Sequence, residues 1–268
     1  MTVSLFFKML TAFIMSFITA FGTFGNVTGK DVCMIAHRGY SGVYPENTEL
    51  AFIKAAEHGS GGAETDIRMT ADGVYVTSHN SSVVLKDGTE LKISEHTYEE
   101  LTAQPLKNKK TFDKVYLCTL ERYLEIMKRY DMVCFIELKD AFTDEQVKEI
   151  FQLCEDKYEL SRCIMQSFNF DNLIKARELF PDLPLMLTYG KGDTDYERCF
   201  EYGFSIDVEY TAVDEKMVDD FHERGLEVAV WTANELLTLS YAKSLGVDYI
   251  ESDFFGGDHT YPGKPGVC

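Results

Sequence analysis

From residue 33 onward, short strand-like runs alternate with segments whose apolar residues recur every three or four positions. The runs at 33–37, 63–69, 132–138, 163–168, 185–189, 205–208, 227–231 and 249–252 have the length of strands. The stretches at 48–58, 119–129, 144–157, 171–180, 194–202, 214–224 and 235–245 carry the helical period. Asn47 or Thr48 is placed to cap the first helix and Gly59 to end it. Eight strands with intervening helices and no linker predict an α/β fold, a single (β/α)8 TIM barrel. An open doubly wound sheet is the runner-up, but no Gly-rich phosphate loop follows the first strand.

Two departures from a regular barrel are legible. Asp72-Gly73 predicts a tight turn into a short extra strand at 74–79, and residues 80–118 form a mixed insertion before the next helix. A loop of that size at the C-terminal face of a barrel usually shapes a binding site. The sequence also runs on only briefly past the eighth strand, so the eighth helix is expected to be missing or reduced.

Residues 1–29 follow another rule. Lys8 is the only charge before Lys30, and the stretch 10–24 is apolar apart from Thr, Ser and Gly. Small residues follow at Gly22 and Gly25. This pattern is expected of a secretory signal peptide or a retained membrane anchor, with the barrel at 31–268 outside the cytoplasm.

Charge narrows the partners. The formal net charge is -18, from 26 basic and 44 acidic side chains, a field that repels nucleic acid and anionic membrane surfaces. DNA and RNA are excluded as general ligands, and a small phosphorylated substrate would need a local positive focus. Seven cysteines contain no CxxC pair, which argues against a structural zinc site. Cys33, Cys134 and Cys163 fall inside strand runs and are expected to act as small buried hydrophobes. Oligomeric state is left open.

The candidate chemistry lies at strand ends. His37 ends the first strand, Glu64 and Asp66 share one face of the second, Glu137 and Lys139 repeat that spacing on the third, and His79 ends the extra strand. Taken singly, each has an ordinary structural explanation, such as a hydrogen-bonded histidine or a surface ion pair. Together they land on one rim of the barrel, where catalytic groups sit. Three inward carboxylates repel one another in a pocket of low dielectric, and a divalent cation resolves that conflict. All-oxygen ligation favours Mg²⁺ or Ca²⁺ over zinc.

The string His37-Arg38-Gly39, Pro45-Glu46-Asn47-Thr48, Glu64-Thr65-Asp66, Thr70-Ala71-Asp72-Gly73 and His79 resembles the glycerophosphodiester phosphodiesterase family. Later segments agree, among them Ile136-Glu137-Leu138-Lys139, Gln166-Ser167-Phe168, Trp231-Thr232-Ala233-Asn234 and Ser252-Asp253. The resemblance covers roughly residues 31–255 and implies metal-dependent hydrolysis of a small glycerophosphodiester to glycerol 3-phosphate and an alcohol, by way of a cyclic phosphate. It implies His37 and His79 as general acid and base, and Glu64, Asp66 and Glu137 as ligands of one divalent cation. It further implies Arg38 and Lys139 as phosphate-holding residues, Trp231 as a rim aromatic against the substrate, and Glu46 as part of the substrate loop. One departure is His79-Asn80 where the family usually has His-Asp, and no equivalent of the arginine expected soon afterwards is obvious in 81–88. Two other readings stand beside this one. A phospholipase D-like lyase on the same barrel would stop at the cyclic product, and a non-catalytic binding module would do no chemistry.

Overall fold

The computed structural model describes residues 32–110 and 112–254, so the leader expected at 1–29 and the segment after residue 254 lie outside the described residues. Within them, the eight parallel strands are β1 (Cys33–Ala36), β2 (Gly62–Met69), β6 (Val133–Leu138), β7 (Cys163–Ser167), β8 (Leu185–Tyr189), β9 (Ser205–Glu209), β10 (Val228–Trp231) and β11 (Tyr249–Ser252). They pair in chain order, and β1 bonds both β11 and β2, which closes the barrel. The extra strand is β3 (Tyr75–Thr77), antiparallel to β2. The insertion folds into a hairpin of β4 (Ser82–Val84) and β5 (Glu90–Lys92), followed by the short helix Tyr98–Leu101. Val76, Val83, Leu85, Ile93, Leu101 and Leu117 give it an apolar core of its own. No helix of the described residues is long and apolar enough to cross a membrane.

Helix starts follow from local chemistry. Thr48, Thr119 and Thr143 each accept a hydrogen bond from the backbone N–H three residues on, opening the helices Glu49–Glu57, Leu120–Tyr130 and Asp144–Lys157. Helix Leu120–Tyr130 buries Leu120, Tyr123, Leu124, Ile126 and Met127, and the Tyr123 hydroxyl donates to the Ala63 carbonyl at 2.6 Å. Each such apolar side chain contributes about 1.5–3 kcal/mol on burial, so this one face fixes the helix against β2. The helix expected at 194–202 is shortened to Arg198–Tyr202. There the preceding loop folds on itself, with the Asp193 carboxylate accepting from the Gly190 N–H at 2.7 Å, and Glu197 provides no side-chain cap. Cys134 and Cys163 are buried free thiols as expected, whereas Cys33 is buried but disulfide-bonded.

Stepping one residue along for each strand crossed, the pairing registers sort the inward side chains into layers, each from alternate strands. Ile35, Phe135, Met186 and Ala229 make an apolar floor in which every member is buried. Above it comes Glu64, Gln166, Asp207 and Glu251, and above that His37, Glu137, Thr188 and Trp231. The barrel is therefore oily at the bottom and polar from its middle upward.

The turn after β1 is the tightest join between barrel and helix. Gly39 has φ +75°, and a Cβ there would stand 2.7 Å from the backbone carbon of Ala51. Gly39→Ala is expected to destabilise the fold by more than about 1 kcal/mol, read as a lower urea midpoint with an unchanged slope. A wild-type midpoint would show that this approach does not constrain the turn.

Candidate active site

His37, Arg38, Glu64, His79, Glu137, Lys139 and Trp231 line one cavity of about 110 Å³ at the polar end of the barrel. Asp66 stands just behind it. Ligand oxygens of Glu64, Asp66 and Glu137 all lie within 4.8 Å of one another, and the three side chains are buried. Strand alternation accounts for Glu64 and Asp66, and the register that pairs Asp66 with Glu137 across β2 and β6 brings in the third.

Two cations hold this trio together. The Lys139 Nζ is 2.9 Å from Glu137 Oε1 and 3.5 Å from Asp66 Oδ1. The Arg38 Nε is 3.4 Å from Asp66 Oδ2, while its backbone N–H donates to Glu64 Oε2 at 2.8 Å. Arg38 reaches both by taking φ 55°, a left-handed conformation uncommon outside glycine. Glu46 does not line the cavity. It is exposed, pairs with the Arg38 guanidinium at 3.3 Å and borders a wider groove beside the cavity.

The electrostatics follow the burial. Burial, then Asp66 and Glu251, push the Glu64 carboxyl well above its ordinary range. Burial also raises Glu137, with Lys139 opposing and Asp66 adding, to about 7. Asp66 is the counter-case: burial would raise it, but Arg38, Lys139 and a hydrogen bond from Asn47 together bring it below its usual value. Buried carboxyls that resist ionisation unless a cation stands among them are a donor set suited to a hard divalent ion. Oxygen donors at this spacing fit such an ion.

The two histidines are held differently. His37 Nδ1 lies 2.7 Å from Asp253 Oδ1, which also accepts from the Ser41 hydroxyl at 2.8 Å, while Asn234 Nδ2 donates to Asp253 Oδ2 at 2.7 Å. Burial works against ionisation of Asp253, but these donors outweigh it and lower its pKa to about 2. An ionised partner assigns the proton to Nδ1 and leaves Nε2 as the ring nitrogen free for the cavity. His79 sits on the loop after β3, with Nδ1 3.3 Å from Asn80 Oδ1. Burial and then Arg38 lower its pKa. Its carbonyl is gripped by Arg68, which in turn pairs with Asp140.

Several of these partners were given no role in the site by the sequence, though Asn47, Asn234 and Asp253 fall in segments that carry the family resemblance. Asn47 is a helix-cap candidate by residue type, yet at φ 54° it donates to Asp66 at 2.7 Å and accepts from the Thr65 hydroxyl at 2.8 Å. Asp253 meets His37 across 216 positions, Ser41 and Asn234 reach Asp253 across 212 and 19, and Arg68 reaches the His79 carbonyl across 11, with no spacing rule connecting them. Phe168 stands edge-on to Trp231 with ring centroids 5.8 Å apart, under the Lys139 ammonium. Asp207 and Glu251 also line the cavity.

A family model described as the glycerophosphoryl diester phosphodiesterase family matches residues 37–256. A glycerophosphodiester phosphodiesterase of Bacillus altitudinis is 28% identical over 233 residues, covering 82% of this chain and 94% of the relative. Among solved structures, a glycerophosphodiester phosphodiesterase from Parabacteroides distasonis superposes with a TM-score of 0.70 at 27% identity, covering 84% of this chain and 94% of that one. An Oleispira antarctica phosphodiesterase in complex with the product sn-glycerol-3-phosphate superposes with a TM-score of 0.76 at 23% identity, covering 82% and 92%.

The raised pKa of Glu137 gives a test of the metal site. Folded Glu137 keeps its proton up to about 7, whereas the ordinary value is 4.5. Between these values the folded state binds more protons than the unfolded one, so metal-free protein loses stability as pH rises through that window. Mg²⁺ or Ca²⁺ is expected to raise Tm more at pH 8 than at pH 5, and Glu137→Gln to flatten the metal-free trend. Equal metal effects at both pH values would separate Glu137 from the cation.

Proposed function

This chain belongs to the glycerophosphodiester phosphodiesterase family and is a phosphodiesterase of that kind; we propose that it hydrolyses glycerophosphodiesters to glycerol 3-phosphate and an alcohol through a cyclic phosphate. The observation that carries this reading is one cavity in which two imidazoles flank a buried carboxylate trio and two cationic side chains. The Oleispira antarctica relative, which holds sn-glycerol-3-phosphate, supports the product.

Glu64, Asp66 and Glu137 would hold one Mg²⁺ or Ca²⁺, whose bound charge lowers the pKa of a nearby hydroxyl and offsets charge developing on phosphate. Arg38 and Lys139 hold the phosphate oxygens, and Trp231 with Phe168 packs against the glycerol carbons. His37 accepts the proton of the substrate's own glycerol hydroxyl as that oxygen bonds to phosphorus. Asp253 supports this role, because its carboxylate stabilises the imidazolium that forms. His79 gives a proton to the departing alcohol oxygen as its bond to phosphorus breaks. It borders both the cavity and a wider groove of about 420 Å³ running past the insertion, where the alcohol would lie. In the second step His79 takes a proton from water, which opens the ring, and His37 returns its proton to the glycerol oxygen.

His37→Ala and His79→Ala are each expected to lower turnover by about 10²–10⁴-fold with folding intact. Asp253→Asn is expected to lower kcat more than it changes KM. Phosphorus NMR on glycerophosphocholine with metal follows the products. A monoester supports hydrolysis, an accumulating cyclic ester supports the lyase, and an unchanged diester supports a binding module.

The uncharged run between Lys8 and Lys30 supports placing the enzyme outside the cytoplasm, released or tethered. Sequencing the mature N-terminus after cell fractionation checks this. A start near residues 23–26 means cleavage, an intact chain in the membrane pellet means an anchor, and an intact Met1 in the soluble cytoplasm overturns it.

A further inference from the structure

The layer beneath the catalytic rim is chemically out of place. Glu64, Gln166, Asp207 and Glu251 come from alternate strands β2, β7, β9 and β11, and each is at most 2% exposed. Such layers are ordinarily filled by branched apolar side chains, as the floor just below is here. This one holds three carboxylates and an amide, with no cationic member. The Gln166 amide hydrogen-bonds Glu251, which leaves its own carbonyl Oε1 buried without a partner. Both Asp207 oxygens and Glu251 Oε1 are buried and unpartnered as well. Orphaned acceptors of this kind cost about 1–3 kcal/mol each, more when charged, and nothing within the layer can donate to all of them.

The rim above cannot supply the missing charge. Arg38 is committed to Asp66 and Glu46, and Lys139 to Glu137 and Asp66. Counting the rim and the layer together, Glu64, Asp66, Glu137, Asp207 and Glu251 face two cationic side chains. One divalent ion among the upper trio still leaves the lower carboxylates without a counter-charge. The space for another exists: ligand atoms of His37, Glu64 and Glu251 lie within 4.8 Å of one another, a grouping apart from the upper trio that shares Glu64 with it. Gln166, Asp207 and Glu251 line the same cavity, so an ion has a route from the rim.

We propose that this middle layer binds a second hard divalent cation, seated between Glu64 and Glu251, which already stand at ligand spacing, and drawing in Asp207 and the Gln166 carbonyl from the same cavity, with Glu64 shared between it and the upper site. Four oxygen donors from four different strands suit Ca²⁺ or Mg²⁺ rather than a softer metal. Bound there, the ion ties opposite walls of the barrel together and anchors Glu64 from below, which steadies the upper trio without touching substrate. His37 Nδ1 is engaged by Asp253, so of the imidazole only Nε2 comes near the ion.

The test is stoichiometry rather than turnover, so it stands apart from the catalytic reading. Chelator-stripped full-length chain is dialysed to equilibrium against Ca²⁺, and separately Mg²⁺, with bound metal counted by mass spectrometry and folding followed by circular dichroism. The wild type is expected to saturate at about two ions per chain, and Asp207→Asn and Glu251→Gln at about one each. Glu137→Gln is also expected at about one, having lost the upper ion instead, and Glu137→Gln with Asp207→Asn at none. A wild type that saturates at one ion overturns the proposal whatever the variants do, and means the layer holds protons or water. A wild type at two with Asp207→Asn also at two overturns it as well. If Asp207→Asn does not fold, Glu251→Gln is read in its place. Loss of an ion in Asp207→Asn but none in Glu137→Gln would instead sink the upper site and leave the lower one standing.

Discussion

Like charges crowded into a closed barrel are the constraint around which this molecule is organised. Glu64, Asp66, Glu137, Asp207 and Glu251 all project inward and all are nearly or fully shielded from water. Carboxylates at that density and burial repel strongly unless cations or donors stand between them. The position and conformation of Arg38 and Lys139 answer that demand before they answer any demand of substrate. Arg38 in particular adopts a backbone conformation that costs on the order of 1 kcal/mol or more. In return its N–H meets Glu64 and its guanidinium meets Asp66 from the same residue.

A second tier of polar contacts ties the loops to that charged centre. Asn47 bonds Asp66 and Thr65 on β2 through its side chain, and its carbonyl accepts from Thr77 on β3. Asp253 gathers His37, Ser41 and Asn234, so the loops after β1, β10 and β11 meet at one carboxylate. Arg68 runs from β2 to the carbonyl of His79 and to Asp140, which positions the second imidazole through backbone rather than side chain. Each contact is modest, about 0.5–1.5 kcal/mol for a neutral pair and more for a charged one. Their collective effect is to leave both histidines and all three candidate ligands few alternative positions, which is what preorganised catalysis requires.

The barrel's vertical gradient separates two tasks. Below, Ile35, Phe135, Met186 and Ala229 supply ordinary apolar burial and hold the strands together. Above, the same strands carry groups that would each be destabilising alone. The outer helices anchor on the far side of the strands, as Tyr123 does on Ala63, so stability comes from the periphery and the floor while the upper interior is given over to chemistry. The insertion folds around its own apolar cluster and therefore walls the groove beside His79 without drawing on the barrel core.

How much of this was legible in the sequence follows from what is local and what is not. Strand and helix periods, threonine caps and the i, i+2 spacing of Glu64 with Asp66 and of Glu137 with Lys139 are set within a few residues. They yielded the barrel, the extra strand and His37, Glu64, His79, Glu137 and Lys139 among the residues that line the cavity. Asn47 was visible as a helix-cap candidate and as part of the Pro45–Thr48 segment, but its contact was not, because its left-handed turn and its reach to Asp66 exist only once the loop is closed against β2. Asp253 meets His37 across 216 positions of chain, and no pattern of spacing predicts that distance. The acidic middle layer was hidden for the same reason. Glu64, Gln166, Asp207 and Glu251 are scattered over four strands, and only strand register, with its one-residue step per strand, brings them to a common level. The chain by itself determined which residues point inward, since alternation is a property of a single strand. Which of them face one another was decided by the closure and stagger of the barrel, since those depend on every strand at once.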